Sequence, residues 1–224
     1  MNLSREAIVE TALEIMTAYG LADVSMRRLA SALGVQPSAL YWHFANKQEL
    51  LAAVAGVVLA DLPIVEPADW AAGLKRWASG LHVALRRRRG GAEVVSAVLA
   101  LTAWEAGPGA AVEESLVAAG LAADQAHAAA VGLLYFVIGQ AFDEEQRLQA
   151  AELGVPARQV VTAYQAVPAE LAATISPSAA AESPVTPQIP VTAESIVAHG
   201  QQDSAAVVEQ VVGLIVTGLL SQTN

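Results

Sequence analysis

Cysteine is absent from the 224-residue sequence, and this absence excludes several kinds of site at once. Without a thiol the chain has no disulfide bond, no thiolate zinc site and no cysteine nucleophile. The absence fits a reducing compartment. Residues 1–12 contain Arg5, Glu6 and Glu10 where a signal peptide needs an uninterrupted apolar run. The sequence therefore predicts a cytoplasmic protein.

The motifs of common enzymes are also missing. The four histidines are scattered, and there is no phosphate-binding glycine loop, no nucleophile elbow and no pair of metal ligands at helical spacing. Alternating β-branched and aromatic runs are absent as well, whereas Ala and Leu abound. We therefore predict an all-α protein that is not an enzyme and that needs no cofactor and no metal.

The longest uncharged stretch, residues 125–142, approaches the length that spans a membrane. It carries Gln125, His127 and Gln140, and acidic residues flank it on both sides. A buried helix explains this composition better than a membrane span, because a helix that is apolar on most sides is expected where several neighbours cover it. We expect no contact with a membrane.

Lysine and arginine are outnumbered, 12 against 22 acidic residues, and the net charge is −10. Residues 1–48 hold four basic and four acidic side chains and are neutral, so the rest of the chain carries all ten excess negative charges. Phosphate groups attract Lys and Arg and are repelled by an acidic surface. Any contact with DNA is therefore confined to the N-terminal part.

Capping residues and glycines divide the N-terminal part into four predicted helices. The first lies between Ser4 and Gly20, the second between Ser25 and Gly34, a short third spans residues 37–44, and the fourth, capped by Asn46, runs from Lys47 to about residue 62. Gly34 suits a turn that needs a left-handed backbone. The second and third helices have the spacing of a helix-turn-helix.

The remaining sequence predicts a second, helical domain. Its helices are expected over residues 70–89, 92–106, 111–120, 124–153, 156–174 and 203–221. Residues 176–190 contain Pro177, Pro184, Pro187 and Pro190 among small side chains and are predicted to be a mobile loop. We place the domain boundary between residues 1–47 and 48–224. The basic run 86–89 near a helix end is interpreted as a solvated surface.

At these positions the chain resembles the TetR family of transcriptional repressors. The run Leu-Tyr-Trp-His-Phe at 40–44, followed by Asn46-Lys47, is similar to the recognition helix of the family running into its fourth helix. The segment 25–30 before Leu-Gly-Val at 33–35 is similar to its second helix. The Tyr-Trp-His run is typical of the tetracycline-repressor branch.

The resemblance implies a homodimer that binds double-stranded, palindromic operator DNA. Tyr41 and Lys47 would contact phosphates, Arg27 would read a base, and the rest of the surface would consist of Gln36, Pro37, Ser38, Trp42 and His43. Two alternatives remain open. The aromatic residues could pack within a small bundle, or the protein could be a protein-binding helical adaptor with a non-functional DNA head.

The resemblance also implies that the C-terminal helices bind an inducer and form the dimer interface. Candidate inducer contacts, each of which also fits a core position, are Trp77, Leu81, His82, Thr102, Trp104, His127, Phe136 and Gln140. The predicted dimer seam is Leu134, Ile138, Val212, Ile215 and Leu219, with packing inside one chain as the alternative.

Two departures from the tetracycline-repressor branch bear on the inducer. Val95 stands where that branch has a metal-ligating histidine, and Trp77 stands where it has a drug-contacting asparagine, although Asp143 keeps a carboxylate at a metal-associated position. Without an imidazole at Val95 a magnesium-bound drug is not expected. The inducer is predicted to be small, metal-free and largely apolar.

Overall fold

The computed structural model describes residues 3–154 and 203–221, and these residues contain helices and turns but no strand. The helices are α1 (Arg5–Tyr19), α2 (Met26–Leu33), α3 (Pro37–Leu40), α4 (Lys47–Val58), α5 (Trp70–Arg86), α6 (Gly91–Leu99), α7 (Pro108–Ala118), α8 (Ala123–Glu152) and α9 (Ser204–Leu220). Short 3-10 turns lie at Leu21–Asp23, Pro67–Asp69 and Trp104–Ala106. The prediction of an all-α fold is confirmed.

The predicted caps begin the N-terminal helices where the sequence placed them. The side chains of Ser4, Ser25 and Asn46 accept the backbone N–H groups of the residues three positions later, at 3.2, 3.2 and 2.8 Å. These side chains satisfy amide groups that have no partner within their own helix. Gly20 ends α1 with φ 91, a conformation that L residues rarely adopt.

Several helices are shorter than predicted, including α4, which ends at Val58 rather than at about residue 62, and α5, which ends at Arg86 rather than at residue 89. The third ends at Leu40 rather than at Phe44, because the Leu40 carbonyl accepts the N–H groups of both His43 and Phe44 and closes the chain into a turn. The helix expected over 92–106 stops at Leu99, where bonds between residues three apart tighten its last turn. The helix predicted at 156–174 and the loop predicted at 176–190 lie outside the described residues.

Chain contacts separate two units, Met1–Glu145 with Ser204–Asn224, and Gln146–Asp203. In the first unit, α9 packs along α5, and α4 packs against α6. One continuous apolar core runs through that unit, from Ile8 and Leu50 in the N-terminal helices to Leu81 and Leu133. Of the second unit the structure describes the last turns of α8, which end before Gly154 at φ 66, and Asp203.

α8 is the only described helix that is long and apolar enough to cross a membrane. Within its apolar stretch, 44% of the residues are buried inside the protein. These residues include Ala130, Leu133, Leu134 and Val137, which pack into the core of the first unit. The helix is therefore accounted for as a core helix, as the sequence predicted.

The predicted dimer seam is partly wrong. Leu134, Ile138 and Val212 are at most 5% exposed within one chain, so they pack inside the subunit and are not available to a second copy. The apolar side chains that α8 and α9 leave exposed include Tyr135 and Leu214. Helical periodicity identified the apolar helices, but it could not tell which side of each faces its own subunit.

The turn between α5 and α6 lies against the N-terminal helices. Gly90 in this turn has φ 79, and a Cβ atom there would lie 2.9 Å from Met16 Cγ in α1. The N–H of Gly90 donates to Glu145 Oε1 in α8 at 2.6 Å. This turn therefore joins α1, α5, α6 and α8, and together with the α4–α6 packing it connects the N-terminal helices to the rest of the unit.

Candidate nucleic-acid interface

A tight turn presents α3 at a defined angle to α2. α2 ends at Gly34 with φ 67 and ψ 31, and the N–H of Val35 donates to the Ala30 carbonyl at 2.9 Å. A left-handed glycine with this bond is a common way to end a helix, because it satisfies carbonyls at the helix end. Pro37 then begins α3 at a position where no N–H is needed.

The inner side of α3 is held by two side chains that are completely buried. Leu40 and Phe44 have no exposed surface, and they pack with Leu29 and Ala30 of α2 in the core. Burial of a large apolar side chain contributes about 1.5–3 kcal/mol. The two buried residues therefore fix which residues of this segment remain outside.

The eight predicted DNA contacts all retain access to solvent. Trp42 is 90% exposed and Tyr41 is 53% exposed. The others comprise four exposed residues and two half-buried residues, namely Arg27, Gln36, Pro37 and Ser38, then His43 and Lys47. A tryptophan on the surface is unusual, because this side chain is highly buried on average. The alternative that Tyr41 and Trp42 pack inside the bundle is therefore wrong.

Two cations of this surface have no ion-pair partner in the described part of the chain. Arg27 on α2 and Lys47 at the first position of α4 make no ion pair with any residue from 3–154 or 203–221. By contrast, Arg28 pairs with Asp23 and lies over the Tyr19 ring. The amide groups at the start of α4 add positive potential beside Lys47. The surface can therefore hold phosphate groups at this point.

Sequence reasoning missed Arg5 and Glu49, which lie beside this surface. Arg5 pairs with Glu49 at 3.1 Å, and Glu49 also accepts the N–H of Ala45 at 2.7 Å. The Ala45 N–H, followed by the Arg5 side chain, holds the pKa of the Glu49 carboxyl below its ordinary value of 4.5. Glu49 stands three residues after the cap Asn46, which was the one local signal for its role.

The predicted inducer contacts fall into separate groups. Trp77, Leu81 and His82 of α5 are at most 3% exposed. The Nε2 atom of His82 lies 3.1 Å from Ser204 Oγ and 3.5 Å from Glu144 Oε2. The hydrogen bond with Ser204 joins α5 to α9 inside the core, and the Glu144 carboxylate of α8 lies close beside the imidazole.

A second group lies between α7 and α8. The indole N–H of Trp104 donates to Glu113 Oε2 at 2.5 Å, and His127 Nδ1 lies 2.8 Å from the same oxygen. The Trp104 and His127 rings meet edge to face at 5.2 Å. The His127 hydrogen bond, and then that of Trp104, lowers the pKa of the Glu113 carboxyl. Glu113 was not among the predicted residues, since no local pattern links it to either ring.

The other three predicted inducer contacts are half-buried. Phe136 and Gln140 lie one turn apart on α8. Thr102 lines a cavity of about 590 Å³ between α4 and α6, and Lys47 and Leu101 are among the other residues that line it. Another cavity, of about 480 Å³, lies between α6 and α8 and is lined by Tyr135 and Phe142, among others.

The described residues were expected to hold no metal site, and their side chains can be compared with that expectation. Among these residues, no group of three or more His, Asp or Glu side chains is arranged to hold a metal ion. Val95 is 1% exposed within the apolar core, and Asp143 is exposed on α8.

A capped helix, a left-handed glycine and a short second helix, with exposed aromatic side chains directly after that helix and basic side chains beside it, define a helix-turn-helix DNA-binding protein. Comparison with known proteins leads to the same class of protein. Residues 8–54 match the family described as bacterial regulatory proteins, tetR family, and residues 62–222 match the tetracyclin repressor-like C-terminal domain. The chain belongs to the TetR family. It is therefore a transcriptional regulator and not an enzyme.

Individual relatives cover much of the chain. The chain is 34% identical to the class C tetracycline repressor of Escherichia coli over 178 residues, 76% of this chain and 78% of that protein. A structure of BioQ with its natural double-stranded DNA operator is 35% identical, with a TM-score of 0.57, over 69% of this chain and 94% of that chain. ActR of Streptomyces coelicolor in complex with (S)-DNPA is 26% identical, with a TM-score of 0.65, and covers each chain completely.

Proposed function

We propose that this protein is a cytoplasmic, homodimeric repressor that binds a palindromic operator and leaves it when a small, largely apolar inducer binds. The observation that carries the proposal is the exposure of Tyr41 and Trp42 on a helix-turn-helix whose inner residues, Leu40 and Phe44, are completely buried. We further propose that residues 1–47 form the DNA-binding domain and residues 48–224 the ligand-binding and dimerisation domain.

The exposed surface divides into phosphate contacts and base contacts. Tyr41 and Lys47 position the protein on the backbone, because a phenol and an ammonium group both donate hydrogen bonds to phosphate oxygens. Arg27 suits the paired acceptors of guanine. The remaining residues, Gln36, Pro37, Ser38, Trp42 and His43, meet base edges in the major groove. BioQ, which is similar in sequence and fold, has been solved with its operator.

A dimer follows from the need to read two half-sites. A four-residue recognition helix offers few base contacts, and two copies would read half-sites about 35 Å apart, one turn of DNA. The exposed apolar residues of α8 and α9, among them Tyr135 and Leu214, support a dimer face on these helices, because burial of such residues favours association. A palindromic operator matches the two-fold symmetry of such a dimer.

The inducer site is proposed among the residues of the C-terminal domain named from the sequence. The group formed by Trp104, Glu113 and His127 offers aromatic surface together with a carboxylate and an imidazole, which suits an apolar molecule with one polar group. Trp77, Leu81 and Phe136 remain the candidates for apolar contacts with the inducer. ActR, which is similar to this chain over its whole length, binds the small molecule (S)-DNPA.

Release would pass through the contacts that join the two domains. α4 begins with Lys47 at the proposed DNA surface and packs against α6, and the Gly90 turn lies against Met16. A shift of α6 would therefore move α4 and change the spacing of the two recognition helices. To lower operator affinity a hundredfold, the inducer must bind the released form more tightly by about 2.7 kcal/mol.

A mobility-shift titration on DNA from upstream of the chain's own gene tests the proposal. We expect Tyr41→Ala and Trp42→Ala each to lower affinity about tenfold or more, the cost of one lost base-pair match or good contact. Ile64→Ala is the matched control, because Ile64 is a 76% exposed apolar residue outside the helix-turn-helix. If both substitutions leave binding intact, the assigned surface is wrong. If the intact dimer binds no DNA at all, the adaptor alternative is favoured.

A further inference from the structure

Arg5, in the first turn of α1, contacts three parts of the segment that follows the recognition helix. Its guanidinium donates to the backbone carbonyl of His43, and its Cζ atom lies 4.0 Å from the centre of the Phe44 ring. The same group pairs with Glu49 Oε1 at 3.1 Å. One side chain from α1 therefore holds the end of the α3 turn and the start of α4 together.

Glu49 extends this arrangement to the backbone on the other side. Its second carboxylate oxygen accepts the N–H of Ala45 at 2.7 Å, while its own N–H donates to the side chain of Asn46 at 2.8 Å. Asn46 thus caps α4 through the N–H of Glu49, and the Glu49 side chain reaches back past the cap to the residue before it. The backbone of residues 43–46 is thus bonded to Arg5 at His43 and to Glu49 at Ala45.

The recognition segment depends on such support because its own helix is very short. α3 has only four residues, and Tyr41, Trp42 and His43 follow its last helical residue. Their outward direction depends on how the backbone leaves Leu40 and enters Phe44. Burial in the core fixes the positions of Leu40 and Phe44, and the hydrogen bond from Arg5 fixes the backbone carbonyl of His43.

A role in global stability explains these contacts less well. The side chains of Arg5 and Glu49 are 49% and 41% exposed, and exposed ion pairs contribute little to folding. A direct phosphate contact is also disfavoured, since the charge of Arg5 is neutralised by Glu49 whereas Arg27 and Lys47 make no ion pair with any described residue. What the three contacts do determine is local backbone geometry beside the proposed DNA surface.

We propose that Arg5 is a positioning residue for operator recognition: through the His43 carbonyl, the Phe44 ring and Glu49 it orients the Tyr41–His43 segment without contacting DNA. This inference rests on the proposed function. It assigns operator specificity to a residue of α1, outside the helix-turn-helix.

The test compares operator DNA with a scrambled duplex of equal length. We expect Arg5→Ala to lower operator affinity about tenfold, the size of one lost base contact, while affinity for the scrambled duplex changes less than about threefold. Arg5→Lys keeps the charge but loses the planar fork that bonds the carbonyl and stacks on Phe44, so it should restore operator binding only in part. The slope of log affinity against log salt should stay at the wild-type value in both variants.

Glu49→Gln separates positioning from phosphate binding. This substitution frees the positive charge of Arg5, so a phosphate-contacting Arg5 would bind both duplexes more tightly. Positioning predicts weaker operator binding instead. An Arg5→Ala variant that loses affinity equally on both duplexes, with a salt slope smaller by about 0.9, would overturn the inference. Unchanged operator affinity in folded Arg5→Ala would overturn it as well.

Arg5→Lys and Glu49→Gln keep the inference testable if Arg5→Ala does not fold. Tyr41→Ala, measured in parallel, distinguishes the two possible failures. If Tyr41→Ala loses operator binding and the Arg5 and Glu49 variants do not, the positioning role is wrong and the proposed function stands. If Tyr41→Ala binds normally, the proposed surface itself is wrong.

Discussion

Replacement of Gly90 by alanine probes the turn at which the α5–α6 segment meets the N-terminal helices. Gly90 has φ 79, and a Cβ atom there would lie 2.9 Å from Met16 Cγ. Gly34 offers a matched control, because it has φ 67 but no described atom from outside the adjacent backbone lies within 4 Å of the corresponding Cβ position. Both substitutions place alanine in a left-handed conformation, and only Gly90→Ala also crowds α1.

The two substitutions lower stability through the cost of a left-handed backbone at a non-glycine residue and, at Gly90 alone, through the crowding of Met16. A left-handed conformation costs a non-glycine residue about 1.5 kcal/mol, so Gly34→Ala should lower the free energy of unfolding by that amount. Overpacking adds roughly another 1–2 kcal/mol at Gly90, since the flexible Met16 side chain can yield in part. For a chain of this size the melting temperature should fall by about 5 °C for Gly34→Ala and about 9 °C for Gly90→Ala.

Thermal unfolding followed by circular dichroism measures both variants at one fixed protomer concentration, because dimerisation makes the melting temperature depend on concentration. Mobility shifts with and without inducer then show whether Gly90→Ala also alters release. Equal losses of stability in the two variants would mean that the Cβ atom added at residue 90 does not crowd Met16, which would contradict the close packing of this turn against α1.

Three further predictions concern a carboxylate, the proposed dimer face and a cap. The hydrogen bond from His127 lowers the pKa of the Glu113 carboxyl in the folded protein. The ionised carboxylate therefore stabilises the fold above pH 4.5, and this stabilisation is lost as the pH falls through the lower pKa of the folded state. Glu113→Gln should accordingly make the melting temperature fall less steeply on the acid side of its pH profile. Leu214→Glu should shift sedimentation towards monomer, whereas Ile64→Glu should not. Ser25→Ala should lower the free energy of unfolding by about 1 kcal/mol in urea titrations, and no change would mean that the α2 cap is dispensable.

Local signals in the sequence were enough to predict the helix-turn-helix. Ser25, Gly34 and Asn46 act within three or four residues of their own positions, so their roles follow from residue type and spacing alone. The exposure of Trp42 followed from the same periodicity, because Leu40 and Phe44 had to occupy the inner side.

Contacts between distant residues could not be predicted in this way. Arg5 meets Phe44 only because α1 packs across α2 and α4, and Glu113 meets His127 only because the fold brings a side chain of α7 next to one near the start of α8. The seam residue Val212 was assigned to the wrong partner for the same reason. Apolar periodicity indicates that a helix side is covered, but not whether its own subunit or a second copy covers it.

The absence of cysteine allows a direct measurement of the central claim, that the recognition segment enters the operator groove. Ser38→Cys places the only thiol of the chain on α3, and Ile64→Cys places one at an exposed position outside the helix-turn-helix. The rate of thiol alkylation is measured with and without saturating operator DNA. We predict that operator slows alkylation at residue 38 at least about tenfold, because bound DNA buries the protein surface that it contacts, and leaves residue 64 unaffected. Equal alkylation rates at residue 38 in the free and DNA-bound protein would contradict the account.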